Sequence, residues 1–196
     1  MDNKNLILTK DGYCQKGFDL KENTREIKIE NYLEERKSLN TKDQSIFDYT
    51  YLTGVRVSEA LEAKANDFFW EQKRVNVLTK KTREHRSVHL FPYDGPAQEL
   101  FDNVKETANI VKAPTKIWLY EHRKEPRIYL WEQAKQTFGC TFHSFRHTHA
   151  IYLVRDLGLN QYELCSEMGW TDLNSSKYYV KYDTTKSIEK KMGITK

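Results

Sequence analysis

The sequence predicts an α+β fold that is mostly helical and contains one small three-stranded antiparallel sheet. Apolar residues recur at helical spacing in several segments that follow a polar capping residue and stop at a glycine, as in TKDQSIFDYTYLTG from Thr41. Residues 68–90 instead contain short runs of β-branched and aromatic residues separated by polar turns. Helices on both sides of one short β-rich stretch are typical of this class, and 196 residues with 38% hydrophobic content suffice for a single core.

The N-terminal third contains one weak and one strong helical pattern. Residues 1–40 show little periodicity, and we interpret them as an N-terminal arm or linker. The first clear helix follows, because Thr41 with Gln44 three residues later predicts a capping box and the glycine after Thr53 predicts the C-terminal cap. A second, short helix should begin near Ser58.

The rest of the chain is predicted to form the sheet and then five helices. The strands are expected at Phe68–Trp70, Arg74–Leu78 and Arg86–Leu90, with a basic hairpin tip, TKKTREH, before the last of them. The helices are expected at Pro96–Val111, Arg127–Phe138, Ser144–Leu157, Asn160–Met168 and Leu173–Tyr182. Asn160 suits an N-cap, and Gly158 and Gly169 suit the ends of the helices before them.

The net charge of +4 says little about partners, but the basic residues are unevenly distributed. Residues 1–40 hold eight basic and eight acidic residues, whereas Glu71–Leu90 and Ser175–Lys196 each hold six basic and two acidic residues. Local basic patches attract phosphate backbones, although a solvated helix face or loop has the same composition. Nucleic acid is therefore one candidate partner.

The cysteines and the apolar runs exclude several classes of protein. The three cysteines lie far apart without a CxxC pair, which argues against a disulfide framework or zinc ribbon and fits a reducing compartment. No apolar run is long enough for a membrane span, and the N-terminus lacks the basic and apolar regions of a secretory signal. We therefore expect a cytoplasmic protein with no membrane partner.

The stretch HSFRHTHA raises the question of a metal site. His143 and His147 are at i, i+4 and would lie on one helix face. However, the stretch lacks the glutamate of an HExxH motif and a clear third ligand. We therefore expect no metal and no other cofactor, and we interpret His147 and His149 as packing or surface histidines.

Phosphoryl transfer without a metal fits the available residue types better. A phosphodiester under attack needs positive donors around its non-bridging oxygens, a nucleophile in line, and an acid for the leaving oxygen. Arg56 and Arg146 offer planar guanidinium groups that stay charged, and Lys80 and Lys81 on the predicted hairpin offer further positive charge. Tyr179 offers a phenol, which nearby cations would help to ionise.

At these residues the chain resembles the catalytic domain of the tyrosine recombinases, the integrase family. TGVRVSEALEAKANDF is similar to the family's first arginine box, TKKTREHRSVHL to its β-hairpin lysine segment, HSFRHTHA to its H-x-x-R box, and EMGWTDLNSSKYYVKY to the segment that ends in the nucleophile. The resemblance covers about Thr41 to Tyr182. In the family the residue in the place of Trp170 lies nine positions before the nucleophile, which selects Tyr179 over Tyr178 and Tyr182.

The resemblance implies the tyrosine recombinase catalytic fold and a role for each matching residue. Arg56 and Arg146 would clamp the scissile phosphate. His143 would bind a non-bridging oxygen or assist proton transfer, and Tyr179 would attack to give a 3′-phosphotyrosine. Glu59, three residues after Arg56, matches the family's acidic residue that braces the site.

The basic stretches would supply the acid and the DNA contacts. The family's pattern favours Lys80 as the residue that protonates the leaving 5′ oxygen, but hairpin length varies and Lys81 stays an alternative. The residues expected to contact DNA are Lys80, Lys81, Arg83, Arg86, Lys177 and Lys181.

Two features depart from the family's pattern. Many members have histidine where this chain has Trp170, and because indole donates a hydrogen bond but relays no proton, Trp170 would bind a phosphate oxygen. Most members also carry a helical DNA-gripping domain before the first arginine box, whereas only about forty residues precede the first clear helix here. We expect a catalytic fragment or a minimal member, with the catalytic domain at 41–184 and a C-terminal tail at 185–196 that docks on a neighbouring protomer.

The leading functional hypothesis is a DNA-associated, site-specific recombinase or integrase, of the kind that mobile elements use. It would cleave and rejoin double-stranded DNA through the tyrosyl intermediate as a homo-oligomer, a tetramer on DNA, without metal or ATP. The alternatives are a type IB topoisomerase-like strand-passage enzyme and a DNA-binding protein of the same fold that no longer cleaves. The nucleophile and both arginines are present, which favours an enzyme that cleaves.

Overall fold

A computed structural model describes residues 26–79, 84–92 and 94–180, together with the backbone of two strands near the N-terminus. These strands, β1 (Leu6–Thr9) and β2 (Gly12–Gln15), pair as an antiparallel hairpin. For Tyr178 only the backbone is described. None of the helices in the described residues has the length and apolar character needed to cross a bilayer.

Helices precede and follow a single three-stranded sheet in the described domain. The helices are α1 (Ile29–Glu35), α2 (Thr41–Thr53), α3 (Val57–Ala60), α4 (Gln98–Ile110), α5 (Pro126–Phe138), α6 (His143–Arg155), α7 (Gln161–Met168) and α8 (Asn174–Val180). The antiparallel sheet has the order β3 (Phe68–Phe69), β4 (Arg74–Thr79), β5 (Glu84–His89). The predicted α+β class, mostly helical with a small three-stranded antiparallel sheet, is confirmed, whereas the β1–β2 hairpin was not predicted.

Helix α2 lies at the centre of the core and positions α6. It packs against both α4 and α6, and its Phe47 is fully buried. The rings of Phe47, Phe138 and Phe145 come from three different helices, and their centroids lie 5.2 to 5.3 Å apart. Such aromatic contacts contribute stability beyond the area that they bury. They hold the HSFR segment, at the start of α6, in a fixed place relative to the end of α2.

The described part of the predicted N-terminal arm is packed into the same domain. Tyr32 of α1 is fully buried, and its hydroxyl donates to Asp48 Oδ1 at 2.6 Å. Arg36 pairs with Asp48 at 2.8 Å, and Asn103 donates to the same carboxylate at 2.6 Å. Burial raises the pKa of Asp48 to about 6, although Arg36 and the hydrogen bonds counteract that effect. Because these bonds join α1 to α2 and α4, the folded unit begins before the expected boundary at residue 41.

Several predicted boundaries differ by a few residues for local reasons. Asn40, and not Thr41, caps α2, since its side chain accepts a hydrogen bond from the backbone N–H three residues later at 3.0 Å. Trp70 lies outside the sheet because it starts a short 3₁₀ turn. The predictions for α7 are confirmed, with Asn160 as the N-cap and Gly169 as the left-handed C-cap.

Candidate active site

The turn between α2 and α3 positions Arg56. Gly54 caps α2 in the left-handed region, with φ of 59°, and its N–H donates back to Thr50 at 2.8 Å. Arg56 is the N-cap residue of α3, and its backbone N–H donates to Glu59 Oε2 at 2.9 Å. Its Nη1 donates to Glu59 Oε1 at 2.9 Å, while 45% of the Arg56 side chain stays exposed. The turn thus anchors a guanidinium group that solvent, or a ligand, can still reach.

Glu59 is a buried carboxylate that joins two arginines. Only 3% of the residue is exposed, and Arg86 of β5 donates to both of its oxygens at 3.2 Å. Burial alone would raise the pKa of Glu59, but the hydrogen bonds and charge of Arg86, together with Arg56, hold it below its ordinary value. The carboxylate therefore stays ionised, and it links α3 to the sheet.

Arg146 of α6 lies next to this pair and is itself buried. Its Nη1 donates to Gly54 O at 2.7 Å, and its Nη2 donates to Met168 O. Burial, followed by the charges of Arg56 and Arg86, lowers the pKa of Arg146 to about 9, and Glu59 counteracts the shift. At neutral pH three guanidinium groups therefore lie near one carboxylate. This excess of positive charge makes the cluster suitable for an anion such as a phosphate group.

Trp170 and Tyr179 lie beside Arg146. The guanidinium carbon of Arg146 is 5.4 Å from the centroid of the Trp170 ring, a cation–π distance. The Trp170 ring stacks on the Tyr179 ring with 5.5 Å between centroids and 20° between planes. The Tyr179 hydroxyl lies 3.1 Å from Nδ1 of His147. The nine-residue spacing therefore corresponds to direct contact between the two rings.

The two later histidines of HSFRHTHA are both buried, with 3% of His147 and 1% of His149 exposed. The packing interpretation holds for His149, whose ring lies so close to Gly54 that a Cβ there would be 2.9 Å from its Cδ2. It is incomplete for His147, because that residue also contacts Tyr179. Burial, and then the charge of His143, lower the pKa of His147 to about 4. The contact joins residues 32 positions apart, and no local pattern in the sequence indicated it.

A cavity of about 600 Å³ opens between α3, α5 and the start of α6. Arg56, His143 and Arg146 all line it, and His143 is exposed as the first residue of α6. Trp131 of α5 forms part of the opposite lining and is 39% exposed. The cavity thus brings three of the predicted site residues to one accessible place, together with an indole that the sequence did not indicate.

The predicted DNA contacts are only partly within the described residues. Lys80, Lys81, Arg83 and Lys181 lie outside them, as does the tail at 185–196. Lys177 is exposed, and its Nζ donates to Asn174 at 2.9 Å. Arg86 differs from the expectation of a surface contact, because only 13% of its side chain is exposed and its guanidinium group pairs with Glu59.

No group of three or more His, Cys, Asp or Glu residues within the described ranges could hold a metal ion. The charged groups that line the cavity are instead mainly arginines, with Glu132 and Lys135 of α5 at its edge. Guanidinium groups bind oxyanions rather than metal ions. The arginines of the lining therefore suit an anion such as a phosphate group.

This combination of a helical α+β fold, an arginine cluster and an adjoining tyrosine defines the class of protein. The chain matches the model of the phage integrase family over residues 22–186, and it belongs to that family. The family is that of the tyrosine recombinases, so the resemblance seen in the four sequence boxes is confirmed.

Particular relatives extend this comparison. The chain is 26% identical to tyrosine recombinase XerC of Staphylococcus aureus (strain USA300) over 157 residues, which are 75% of this chain and 51% of XerC. It therefore spans about half the length of the curated relatives that it matches.

Two solved structures show the same fold. The XerH site-specific recombinase bound to palindromic difH substrate, in a post-cleavage complex, aligns with a TM-score of 0.60 at 19% identity, over 85% of this chain and 51% of XerH. The Tn1549 transposon integrase, in complex with a circular intermediate DNA, aligns with a TM-score of 0.64 at 15% identity, over 91% of this chain and 68% of the other. The predicted tyrosine recombinase catalytic fold is confirmed.

Proposed function

We propose that this chain is the catalytic part of a site-specific DNA recombinase, which cleaves and rejoins double-stranded DNA through a covalent bond to Tyr179. The observation that carries the proposal is the convergence of Arg56, Arg146 and Tyr179. Two cations lie at one cavity, and one of them contacts the indole on which the phenol stacks. Membership of the phage integrase family supports the same activity.

In the proposed reaction the Tyr179 oxygen attacks the phosphorus of one strand, and the bond from phosphorus to the 5′ oxygen breaks. A 3′-phosphotyrosine forms, and the 5′ oxygen leaves as a hydroxyl group with a proton from Lys80 or Lys81. Rejoining reverses these steps when the 5′ hydroxyl of a second strand attacks the phosphotyrosine. One phosphodiester is exchanged for another ester of similar energy, so the reaction requires neither ATP nor a metal.

The arginines would stabilise the negative charge that develops during the attack. The half-exposed guanidinium of Arg56 can reach a non-bridging oxygen directly. Arg146 has five N–H donors, and its bonds to Gly54 O and Met168 O use two of them. Those two bonds fix the orientation of its guanidinium group before DNA arrives. Preorganised donors of this kind lower the barrier because they need no rearrangement during the reaction.

Trp170 would hold the nucleophile and complete the oxyanion contacts. Its ring stacks on Tyr179, which limits where the phenol can point. Its indole N–H can donate to a phosphate oxygen but cannot transfer a proton at working pH. Exposed His143, at the edge of the cavity, would bind a non-bridging oxygen or assist proton transfer.

We infer that the whole protein acts on DNA as an oligomer. XerH and the Tn1549 integrase were solved in complexes with DNA, which supports duplex DNA as the substrate here. The chain spans about half of XerC, so further DNA-gripping segments would belong to the complete assembly. A tetramer on DNA, joined through the tail at 185–196, would serve integration or excision of a mobile element in the cytoplasm.

The proposal is tested with duplexes that carry a nick close to each candidate cleavage site. Cleavage releases a short 5′-hydroxyl fragment, which diffuses away and traps the covalent complex on a denaturing gel. Sequencing the trapped DNA then identifies the target. Tyr179→Phe should bind DNA and form no adduct, because it lacks only the attacking oxygen. Tyr178→Phe is the matched control and should still form it, since neighbouring helix positions point about 100° apart. Tyr182→Phe should also form it, because the nine-residue spacing from Trp170 selects Tyr179.

The outcomes separate the proposal from its competitors. An adduct in Tyr179→Phe that is absent from Tyr178→Phe would move the nucleophile one residue upstream. Retention of DNA on a native gel, without an adduct on any nicked duplex in the library, would indicate a DNA-binding protein that does not cleave. Relaxation of supercoiled DNA without sequence preference would indicate topoisomerase activity instead.

A further inference from the structure

We propose that His147 is the general base that accepts the proton of the Tyr179 hydroxyl during strand cleavage. The inference rests on the proposed function, because it takes Tyr179 as the nucleophile. It gives a catalytic role to a residue of HSFRHTHA for which the family resemblance implied none.

The geometry places His147 directly on the reacting atom. Nδ1 of His147 lies 3.1 Å from the Tyr179 oxygen, and the two ring centroids lie 5.5 Å apart. A general base must lie within hydrogen-bonding distance of the proton that it removes. Helix α6 packs against α8, so both partners belong to packed helices rather than to loops. His143, to which the family resemblance assigns either a bond to a non-bridging oxygen or assistance in proton transfer, is the exposed first residue of α6.

The surroundings of His147 keep it in the form that a base requires. It is 3% exposed, and burial, followed by the charge of His143, lowers its pKa to about 4. The imidazole is therefore neutral at working pH, and Nδ1 accepts the hydrogen bond if the proton of the ring is on Nε2. The charge of His143 on its own helix acts on the imidazole, and Tyr179 on α8 contacts it.

A weakly basic imidazole suffices because the proton becomes more acidic as the reaction proceeds. As the bond from the Tyr179 oxygen to phosphorus forms, electron density leaves that oxygen and the O–H bond weakens. The proton moves to Nδ1, the new ester is neutral at its bridging oxygen, and the lysine of the hairpin separately protonates the leaving 5′ oxygen. In rejoining, the imidazolium returns the proton to the Tyr179 oxygen when the ester bond breaks.

The test measures single-turnover cleavage of a nicked duplex by the full chain. His147→Asn keeps a polar group close to the position of Nδ1 but cannot take up the proton. Its cleavage rate should fall by about a hundredfold or more, within the range that general bases contribute. His149→Asn is the matched control, because it replaces another buried histidine of α6, two residues after His147, that takes no part in the proposed chemistry. It should cleave within about threefold of the unmodified chain wherever both variants are folded.

A second substrate separates the base from the acid. When sulfur replaces the bridging 5′ oxygen, the leaving group is a thiolate, which needs no proton because thiols have a pKa of about 8.5. Such a substrate should rescue a variant that lacks the hairpin lysine, but the defect of His147→Asn should persist. Rescue of His147→Asn by this substrate would overturn the assignment.

A DNA-free measurement examines the tautomer on which the proposal depends. The ¹⁵N resonance of Nδ1 should lie in the unprotonated range at neutral pH and should shift in Tyr179→Phe, where the donor is lost. A protonated Nδ1 would overturn the inference. So would a His147→Asn variant that cleaves as fast as the unmodified chain, or faster, because the contact would then only hold the tyrosine back. If the unmodified chain formed no adduct on any duplex, the proposed function itself would fail, and the inference with it.

Discussion

Adding one methyl group at Gly169 should displace Arg86 and so disturb the arginine cluster. Gly169 ends α7 in the left-handed region, with φ of 61°. A Cβ at this position would lie 2.7 Å from Nε of Arg86 and 2.9 Å from its Cδ and Cζ. These atoms belong to the guanidinium end that pairs with Glu59, so they cannot move without weakening that pair. Gly169→Ala should therefore displace Arg86 and loosen the carboxylate that orients Arg56.

The expected magnitude follows from two contributions. A side chain in the left-handed region costs about 1–2 kcal/mol. A hydrogen bond to a charged group contributes about 1.5–3 kcal/mol, and displacement of Arg86 weakens at least one such bond to the buried Glu59. Gly169→Ala should therefore lower the free energy of unfolding by about 2.5–5 kcal/mol.

Gly158→Ala is a matched control for the backbone contribution. Gly158 has φ of 70°, and among the described residues other than its chain neighbours no heavy atom lies within 4 Å of the position of its Cβ. This variant should lose only the backbone contribution, about 1–2 kcal/mol. Both free energies of unfolding are measured by urea denaturation, and cleavage of the nicked duplex is measured on the folded proteins. Equal destabilisation of the two variants, with equal cleavage, would refute the proposed coupling from Gly169 through Arg86 to Arg56.

Three further predictions concern charge. Arg56→Ala should raise the barrier to single-turnover cleavage by a few kcal/mol with little loss of stability, because its side chain is half-exposed. Arg146→Ala should also slow cleavage, but it should lower the melting temperature as well, because that residue is buried. A larger loss of melting temperature in Arg56→Ala than in Arg146→Ala would contradict the burial argument. Burial lowers the pKa of His149 to about 3, whereas an unfolded histidine titrates near 6.5. Protons therefore bind the unfolded state first, and between pH 7 and pH 5 this residue alone should remove about 2 kcal/mol of stability. His149→Gln should lose that part of the acid sensitivity in denaturation curves, and the exposed control His122→Gln should keep it. Finally, DNA affinity should fall steeply as the salt concentration rises, since bound lysines and arginines release counterions from the phosphate backbone. An affinity that stays constant between low and physiological salt would count against a DNA-facing basic surface.

Much of the fold could be read from local patterns in the sequence. The end of α2 at Thr53, where Gly54 is the C-cap, and the N-cap of α7 at Asn160 depend on residues within one helical turn. The same holds for the hydrogen bonds between Arg56 and Glu59, which are three residues apart at the start of α3. Where the structure differs, the competing signal was also local, as with Asn40, which caps α2 one residue before the expected Thr41.

The packing of the N-terminal segment could not be read in this way. Residues 1–40 have little periodicity, yet Tyr32 and Arg36 are buried through bonds to a single carboxylate, Asp48. Their partner lies 16 and 12 residues along the chain. A short helix with few apolar residues gives a weak pattern, and its stability comes from the polar network that it joins in the core.

The sequence by itself determined the family and predicted the candidate reactive groups, because spacing within each box is a local property. The arginines, the nine residues from Trp170 to Tyr179 and the acidic residue after Arg56 were all available there. Only the tertiary structure decided that Arg86 braces Glu59 across 27 residues and that His147 contacts Tyr179 across 32. Such contacts depend on how α6 packs against α8 and how β5 approaches α3, and packing at that separation follows from the whole core rather than from any one segment.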